Sequence, residues 1–195
     1  MEVSLKNNIQ EEKKIIQEKI SYHIYEILKL IGEDPEREGL LDTPNRVAKM
    51  YLDIFSGINL DPKLELNTLF EEKSNDWIII NDITFYSTCE HHLVTFYGKC
   101  HIGYIPNEKI AGLSKFARLV DVLSKKPQVQ ERLTNEIADC IDEVLKPKGI
   151  IVKVEAEHLC MCARGVKKPG SNTITQTKKG DLNQREIYNF LQLIN

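Results

Sequence analysis

The sequence predicts an α+β fold in which an antiparallel sheet carries its helices on one face. Three observations point to it: apolar residues recur at helical spacing in several segments, short β-prone runs come in pairs, and helices separate those pairs. Strands that follow one another as hairpins form antiparallel sheets, and the intervening helices then cover one face. A sheet this small has exposed edges, and joining edges between subunits into a closed barrel is one way to cover them.

The composition excludes several classes of function. The 195 residues include 26 basic and 29 acidic side chains, a net charge of −3, so there is no overall basic footprint for nucleic acid or an anionic membrane. The first 20 residues are charged throughout, and no stretch approaches the roughly 20 apolar residues of a membrane span. We therefore expect a cytoplasmic protein that binds neither nucleic acid nor membrane. Five cysteines make a poor disulfide framework, and Cys100 and Cys140 fit apolar patterns as buried thiols.

Residues 1–58 are predicted to form an N-terminal helical extension, and residues 59–195 the main domain. A first helix runs from Glu11 on an isoleucine stripe and stops at Gly32. A second helix has Thr43 as its N-cap, a proline in its first position, and an end at Gly57. On this helix Arg46 and Lys49 share a face and could reach one anion together, although the residues alone favour a solvated basic face.

The main domain begins with strands. Runs at 77–80 and 83–86 read as one strand with a kink at Asn81–Asp82. A strand over 94–105 follows, with Gly98 and Gly103 predicted to mark bulges. The runs at 77–80 and 83–86 deliver a polar cluster, residues 87–93, to a strand end or turn, and the strand over 94–105 comes after this cluster.

Two helices and two further strands complete the domain. Ser114 is the predicted N-cap of a helix whose start carries Lys115 and Arg118, an arrangement that favours phosphate. The next helix is predicted to start at Pro127, with Glu131 in its first turn as an ordinary surface carboxylate. Strands at 150–154 and from 170 onward precede a last helix capped by Asp181.

Two clusters of soft and borderline ligands predict a metal site. Cys89 and His92 have a usual ligand spacing, and Cys160 adds a second thiolate, which suits zinc. Three ligands leave a position open for a water whose pKa the metal lowers to about 7. Adding Cys162 would close the site, but its spacing from Cys160 is tighter than usual, so the open site is favoured. The spacing does not choose between His91 and His92.

Five ordered segments resemble the signature segments of the type I GTP cyclohydrolase family, and the resemblance spans roughly residues 15–195. The segments are Thr43–Met50, Ser87–His92, Gly112–Lys115 with Arg118, Gln128–Thr134, and Glu157–Cys160 with Arg164–Gly165. Five motifs in order are far more specific than any one of them.

This resemblance implies a tunnelling fold, with residues 59–195 as the catalytic domain. Subunits would join sheet edge to sheet edge in pentameric rings that stack as a homodecamer. It also implies the reaction: GTP is hydrolysed at C8 of guanine, formate is lost, and the ribose carbons recyclise to give 7,8-dihydroneopterin triphosphate, which begins pterin and tetrahydrofolate biosynthesis. The implied cofactor is Zn²⁺ on Cys89, His92 and Cys160.

The resemblance also assigns the remaining roles. His91 and His158 match the proton carriers, with a supporting role as the alternative for each, and Glu131 would accept hydrogen bonds from guanine. The triphosphate would be bound by the matching hydroxyl and cations, which are Ser114, Lys115, Arg118, Arg164, Arg46 and Lys49. Two other functions remain open: a related tunnelling-fold enzyme of pterin or deazapurine metabolism, and a non-enzymatic zinc module with a closed four-ligand site.

Overall fold

The computed structural model describes residues 2–72 and 74–194, with side chains described from Gln10 onward. The chain divides into two units, Met1–Phe55 and Ser56–Asn195. The first unit is a pair of helices, α1 (Glu2–Leu30) and α2 (Thr43–Ile54). Within the described residues, no helix combines the length and the apolar character needed to cross a membrane.

The ends of these two helices test the capping predictions. Gly32 does stop α1, since its φ of +89° is a left-handed conformation that glycine adopts without strain. The N-cap of α2 is Asp42 rather than Thr43, because the Asp42 carbonyl accepts the first intrahelical bond from Arg46 N–H at 2.9 Å. The end of α2 at Ile54, before Gly57, also corrects the sequence prediction.

The second unit is an α+β domain, which confirms the predicted fold class. Its helices and strands, after a short 3₁₀ helix at Pro62–Leu66, are β1 (Leu69–Glu71), β2 (Ile78–Cys89), β3 (Thr95–Ile105), β4 (Lys109–Ala111), α3 (Leu113–Ser124), β5 (Pro127–Gln128), α4 (Gln130–Leu145), β6 (Gly149–His158), α5 (Leu159–Cys162), β7 (Asn172–Gly180) and α6 (Gln184–Leu193).

Five of the strands form one sheet in the order β5–β2–β3–β6–β7. The four long strands are antiparallel, as predicted, whereas the short β5 pairs in parallel with the end of β2. The sheet is therefore mixed. A separate two-stranded pairing of β1 with β4 was not anticipated from the sequence.

The core lies between one sheet face and the two long helices of the domain. Phe96, Ile102 and Val152 on the sheet are fully buried against Phe116 of α3 and Ile137 of α4. Burial of several large side chains of this kind, each contributing roughly 1.5–3 kcal/mol, provides most of the driving force for the domain to fold.

The last helix corrects the prediction that all helices share one face. Gly103 points away from the main core, and a Cβ atom there would lie 2.5 Å from the Phe190 ring of α6. Ile151, the register partner of Gly103, is also fully buried on that side. Trp77 packs on Phe190 as well, at 5.8 Å between ring centroids. The α6 helix therefore covers one end of the opposite sheet face.

Local details of the strands were predicted with mixed success. The kink at Asn81–Asp82 is confirmed, because the β2–β3 register shifts there and Asp82 has a φ of +57°. The predicted bulges at Gly98 and Gly103 are wrong, since the pairing of β3 with β6 is continuous. Gly98 instead allows close backbone approach: a Cβ atom would lie 1.8 Å from the Glu155 carbonyl oxygen.

Three predicted helix starts in the second unit are also corrected. Gly112, not Ser114, is the N-cap of α3. Pro127 belongs to β5, and α4 begins at Gln130 because the preceding residue is extended. The cap of α6 is Asn183 rather than Asp181, since Asn183 and the side chain three positions on form a reciprocal capping box.

Candidate metal centre and active site

The first ligand cluster sits on a tight turn at the end of β2. The Cys89 N–H donates to the Val94 carbonyl at 2.9 Å, and the Leu93 N–H donates back to the Cys89 carbonyl at 2.9 Å. Leu93 has a φ of +52°, which closes the turn. The Glu90 N–H donates to the Gln128 carbonyl of β5 at 3.0 Å. The short parallel strand therefore holds this turn beside the start of α4.

The second cluster reaches the same end of the sheet through β3. Thr88 pairs with Thr95 at the start of β3, and the next β3 residue, Phe96, pairs with His158 at the end of β6. Because β2 and β6 flank β3 and pair with adjacent β3 residues, the end of β2 and the end of β6 lie close together at the start of β3. The α5 turn that follows then carries Cys160 back over the strand end.

These elements bring three potential metal ligands together. One ligand atom from each of Cys89, His92 and Cys160 lies within 4.8 Å of the other two. Among the residues described, this is the group of His, Cys, Asp or Glu side chains close enough to hold an ion, and it does not include Cys162. Two thiols and an imidazole form the donor set that a borderline-soft ion such as zinc prefers. The residues therefore fit such an ion.

His91 and Cys162 lie near the three potential ligands but are not part of that group. His91 Nδ1 is 3.7 Å from the Cys89 sulfur, so His91 adjoins the cluster. The Cys162 thiol donates to the Lys168 carbonyl at 3.4 Å. The geometry thus favours the three-residue set over a closed set of four.

All five cysteines carry free thiols, and burial separates two of them from the site. Burial raises the pKa of the Cys140 thiol to about 11, and it raises the pKa of Cys100 still further. Both remain neutral at physiological pH and pack as small apolar side chains, as the sequence predicts.

Metal binding at this site is expected to weaken as pH falls. Burial, with the nearby Cys89 thiol, raises the pKa of Cys160, so the free protein holds that proton at neutral pH. Only the thiolate binds metal, so binding releases this proton, and affinity for Zn²⁺ should fall at least about tenfold per pH unit as the solution is acidified. Competition with a chromophoric chelator at pH 6.5, 7.0 and 7.5 measures the slope. A pH-independent affinity would rule out thiolate ligation by Cys160.

A cavity of about 230 Å³ opens beside the three-residue group. Its lining includes Glu131 in the first turn of α4, the two imidazoles of His91 and His158, and the thiols of Cys89 and Cys160. Five of the residues singled out by sequence thus border one space. Residues 128–130, where β5 passes into α4, also line the cavity, and the sequence did not predict this.

His158 is held in a defined orientation. Its ring stacks on Phe96, with centroids 4.6 Å apart and planes inclined by 1°. Its Nε2 lies 2.8 Å from Oε1 of Gln130. Burial lowers the pKa of His158, and the charge of Glu131 opposes that effect. In the metal-free protein the imidazole is therefore biased toward its neutral form.

The predicted phosphate-binding residues lie outside the cavity lining. Ser114 and Arg118 are exposed and Lys115 is half-buried, all in the first two turns of α3. Arg118 borders a different cleft, beside Gly57 and Asp121. Arg164, exposed in the loop after α5, is close enough to favour the thiolate of Cys160 electrostatically.

Two further cations belong to the first unit. Arg46 and Lys49 are exposed on α2, and the Arg46 guanidinium lies 3.6 Å from the Asp42 carboxylate. They contribute nothing to the cavity described above, whose lining comes from the second unit.

Sequence reasoning missed several polar residues that support the site. Arg132 of α4 donates to both carboxylate oxygens of Glu90, at 2.5 and 3.2 Å, and this pairing lowers the pKa of Glu90. Gln128 and Gln130 are almost completely buried, at 0% and 1% exposure. Both glutamines belong to the segment Gln128–Thr134 that resembles the family, but nothing in the sequence pattern gives either of them a role of its own.

In this α+β domain a Cys/His/Cys group lies beside a cavity that is lined by a carboxylate and two imidazoles. Such an arrangement is typical of a metal-dependent hydrolase. The chain belongs to the GTP cyclohydrolase I family, whose model matches residues 20–195. The resemblance drawn from the motifs is thereby confirmed.

Curated relatives agree with this assignment. The chain is 59% identical over 167 residues to GTP cyclohydrolase 1 of Streptococcus pyogenes serotype M18, covering 85% of this chain and 86% of the relative. It is 56% identical over 165 residues to GTP cyclohydrolase 1 of Streptococcus agalactiae serotype Ia, covering 84% and 88% of the two chains.

Proposed function

We propose that this chain hydrolyses GTP at C8 of guanine and that Cys89, His92 and Cys160 would hold the zinc ion that this reaction requires. Family membership makes the chain an enzyme of the GTP cyclohydrolase I type, which releases formate and recyclises the product to 7,8-dihydroneopterin triphosphate. The observation that carries the proposal for the metal is the approach of the three ligand atoms to within 4.8 Å, beside a cavity. When bound there, zinc would supply Lewis-acid activation of water near neutral pH.

The two histidines would move protons during the reaction. Opening the imidazole portion of guanine requires proton delivery to a ring nitrogen, and an imidazole with a pKa near or below neutrality exchanges protons readily. His158 fits this role because its ring is locked by stacking and by a hydrogen bond, and because burial lowers its pKa. His91, which adjoins Cys89, is proposed as the second proton carrier.

Glu131 would select guanine. Glu131 stands in the first turn of α4 and lines the cavity together with His91 and His158. A carboxylate can accept from the N1–H and the 2-amino group of guanine at the same time, and adenine offers no such pair of donors. The cavity volume suits a bicyclic base better than a whole nucleoside triphosphate, so the phosphates would extend outside it.

The exposed cations would then bind the triphosphate. Lys115 and Arg118 stand in the first turns of α3, where free backbone N–H groups already favour an anion, and Ser114 adds a hydroxyl. Arg164 follows the α5 turn near the proposed metal. Arg46 and Lys49 lie in the first unit, and we propose that a neighbouring subunit's copies complete the site.

The proposed assembly is a homodecamer of two pentamers with a tunnelling fold. It is supported by the sheet, in which β7 is an edge strand and β2 has only the short β5 on its outer side, at residues 88–89. Edges of this kind can pair between subunits. We further propose that residues 1–58 form a helical extension, that residues 59–195 form the catalytic domain, and that the enzyme acts in the cytoplasm.

Formate release from GTP labelled at C8 tests the proposed reaction. Zinc-loaded protein should release labelled formate from GTP and none from ATP labelled at the same position. Metal-replete, fully assembled protein that released no formate would overturn the proposed reaction.

A further inference from the structure

We propose that Gln130 is a positioning residue that sets the tautomer and the ring orientation of His158. This inference rests on the proposed function, because it matters only if His158 exchanges a proton with the substrate. It concerns a residue that has no assigned role in the scheme above. Gln130 is 1% exposed and stands at the first position of α4, where its side chain reaches across to β6 and β7.

The chemistry of its partners fixes the orientation of the Gln130 amide. Its Nε2 lies 3.0 Å from the Val154 carbonyl oxygen and 2.9 Å from the Thr173 carbonyl oxygen. Carbonyl oxygens only accept hydrogen bonds, so the nitrogen end of the amide must face them. The Thr175 hydroxyl lies 3.1 Å from the same nitrogen. The oxygen end is therefore the one that faces His158, and a flipped amide would set oxygen against two carbonyls.

The orientation of the amide in turn decides the tautomer of His158. Oε1 of Gln130 can only accept, and it lies 2.8 Å from Nε2 of the imidazole. Nε2 must then carry a hydrogen, and the neutral ring has its free lone pair on Nδ1. Stacking on Phe96 fixes the plane of the ring, and this hydrogen bond fixes the rotation within that plane. Proton exchange with the substrate is thereby confined to Nδ1.

The hydrogen bonds that hold the Gln130 amide connect it to two paired strands of the sheet. Val154 lies in β6 and Thr173 in β7, which are paired neighbours in the sheet. Three of the contacts of Gln130 therefore join the first turn of α4 to two strands at once. A side chain held at both ends orients its partner better than a surface residue could, which is how supporting residues usually influence catalysis.

A double-mutant cycle separates this role from simple structural support. Gln130→Met, His158→Ala and the double variant are compared by formate release from GTP and by metal content. Gln130→Met alone should lower kcat roughly 10–100-fold, with KM and bound zinc within about twofold of wild type. In the His158→Ala background the same change should lower kcat by less than about threefold, because the residue that Gln130 positions is gone.

Gln128 supplies the matched control. It is also fully buried and also donates to a backbone carbonyl, that of Leu123 at 3.1 Å, but its other partner is Glu136 and not His158. The effects of Gln128→Met and His158→Ala on kcat should multiply. Multiplicative effects of Gln130→Met and His158→Ala would overturn the proposal, and so would an unchanged kcat in Gln130→Met.

A second measurement needs no substitution at Gln130. Solid-state nitrogen NMR of the zinc-loaded enzyme with labelled histidine, assigned with His158→Ala, should show His158 protonated at Nε2 and unprotonated at Nδ1. The opposite tautomer would overturn the inference. Formate release by wild-type protein reports on the proposed function separately, so failure of one remains distinguishable from failure of the other.

Discussion

Replacing Cys160 with alanine is expected to remove bound zinc and reduce formate release from GTP to background. A structural zinc site with four protein ligands contributes roughly 10–16 kcal/mol of binding free energy, about 2.5–4 kcal/mol per ligand, so loss of one thiolate should weaken binding roughly 100–1,000-fold. The remaining Cys89 and His92 would have to hold the ion alone. Metal analysis of the purified variant and formate release from C8-labelled GTP measure the two effects together.

Cys162→Ala is the matched control for this experiment. Cys162 lies two residues further along the same α5 turn, but it is outside the group of three, and its thiol donates to the Lys168 carbonyl. This variant should keep one zinc per chain and retain formate release. Loss of zinc from Cys162→Ala would point instead to a closed four-ligand site, and full retention of zinc by Cys160→Ala would contradict the proposed ligand set.

The second large effect is expected from Glu131→Gln, which should lower kcat/KM for GTP by roughly 100–1,000-fold. A hydrogen bond to a charged partner contributes roughly 1.5–3 kcal/mol, and the proposed carboxylate accepts two of them. The amide still accepts from N1–H but turns a donor toward the 2-amino group. Inosine triphosphate lacks that amino group, so its kcat/KM should fall less, and the preference of the enzyme for GTP over inosine triphosphate should shrink.

Steady-state kinetics with both nucleotides test this prediction, and Glu143→Gln provides the control. Glu143 lies near the other end of α4, is exposed, and pairs with Lys63 rather than lining the cavity. Its replacement should leave the preference between the two nucleotides unchanged. An unaltered preference in Glu131→Gln would show that this carboxylate does not contact the 2-amino group.

Much of the fold could be predicted because its signals are local. The stripes of apolar residues on α3 and α4 arise every three or four positions, and both helices bury those residues as expected. The kink at Asn81–Asp82 was likewise visible as a polar break between two β-prone runs. Helix starts were predicted less well, because several residues near each start could cap it and the path of the incoming chain selects among them.

Local sequence signals did not predict which face of the sheet α6 covers. Its amphipathic pattern predicts a helix but not the surface it packs against. That surface exists only because Gly103 leaves room for Phe190 on the side of the sheet away from the main core. The pairing of β5 with the end of β2 could not be predicted either, because the two residues of β5 are too few to show a strand pattern.

For the site, the sequence by itself determined which side chains were available and, through five ordered motifs, the family to which the chain belongs. It did not determine which of them meet. The approach of Cys160 to Cys89 and His92 depends on β3 pairing with both flanking strands. The contact between Gln130 and His158 depends on α4 packing against β6 and β7. Contacts between residues far apart in the chain follow from the packing of whole elements, and only the tertiary structure decides that packing.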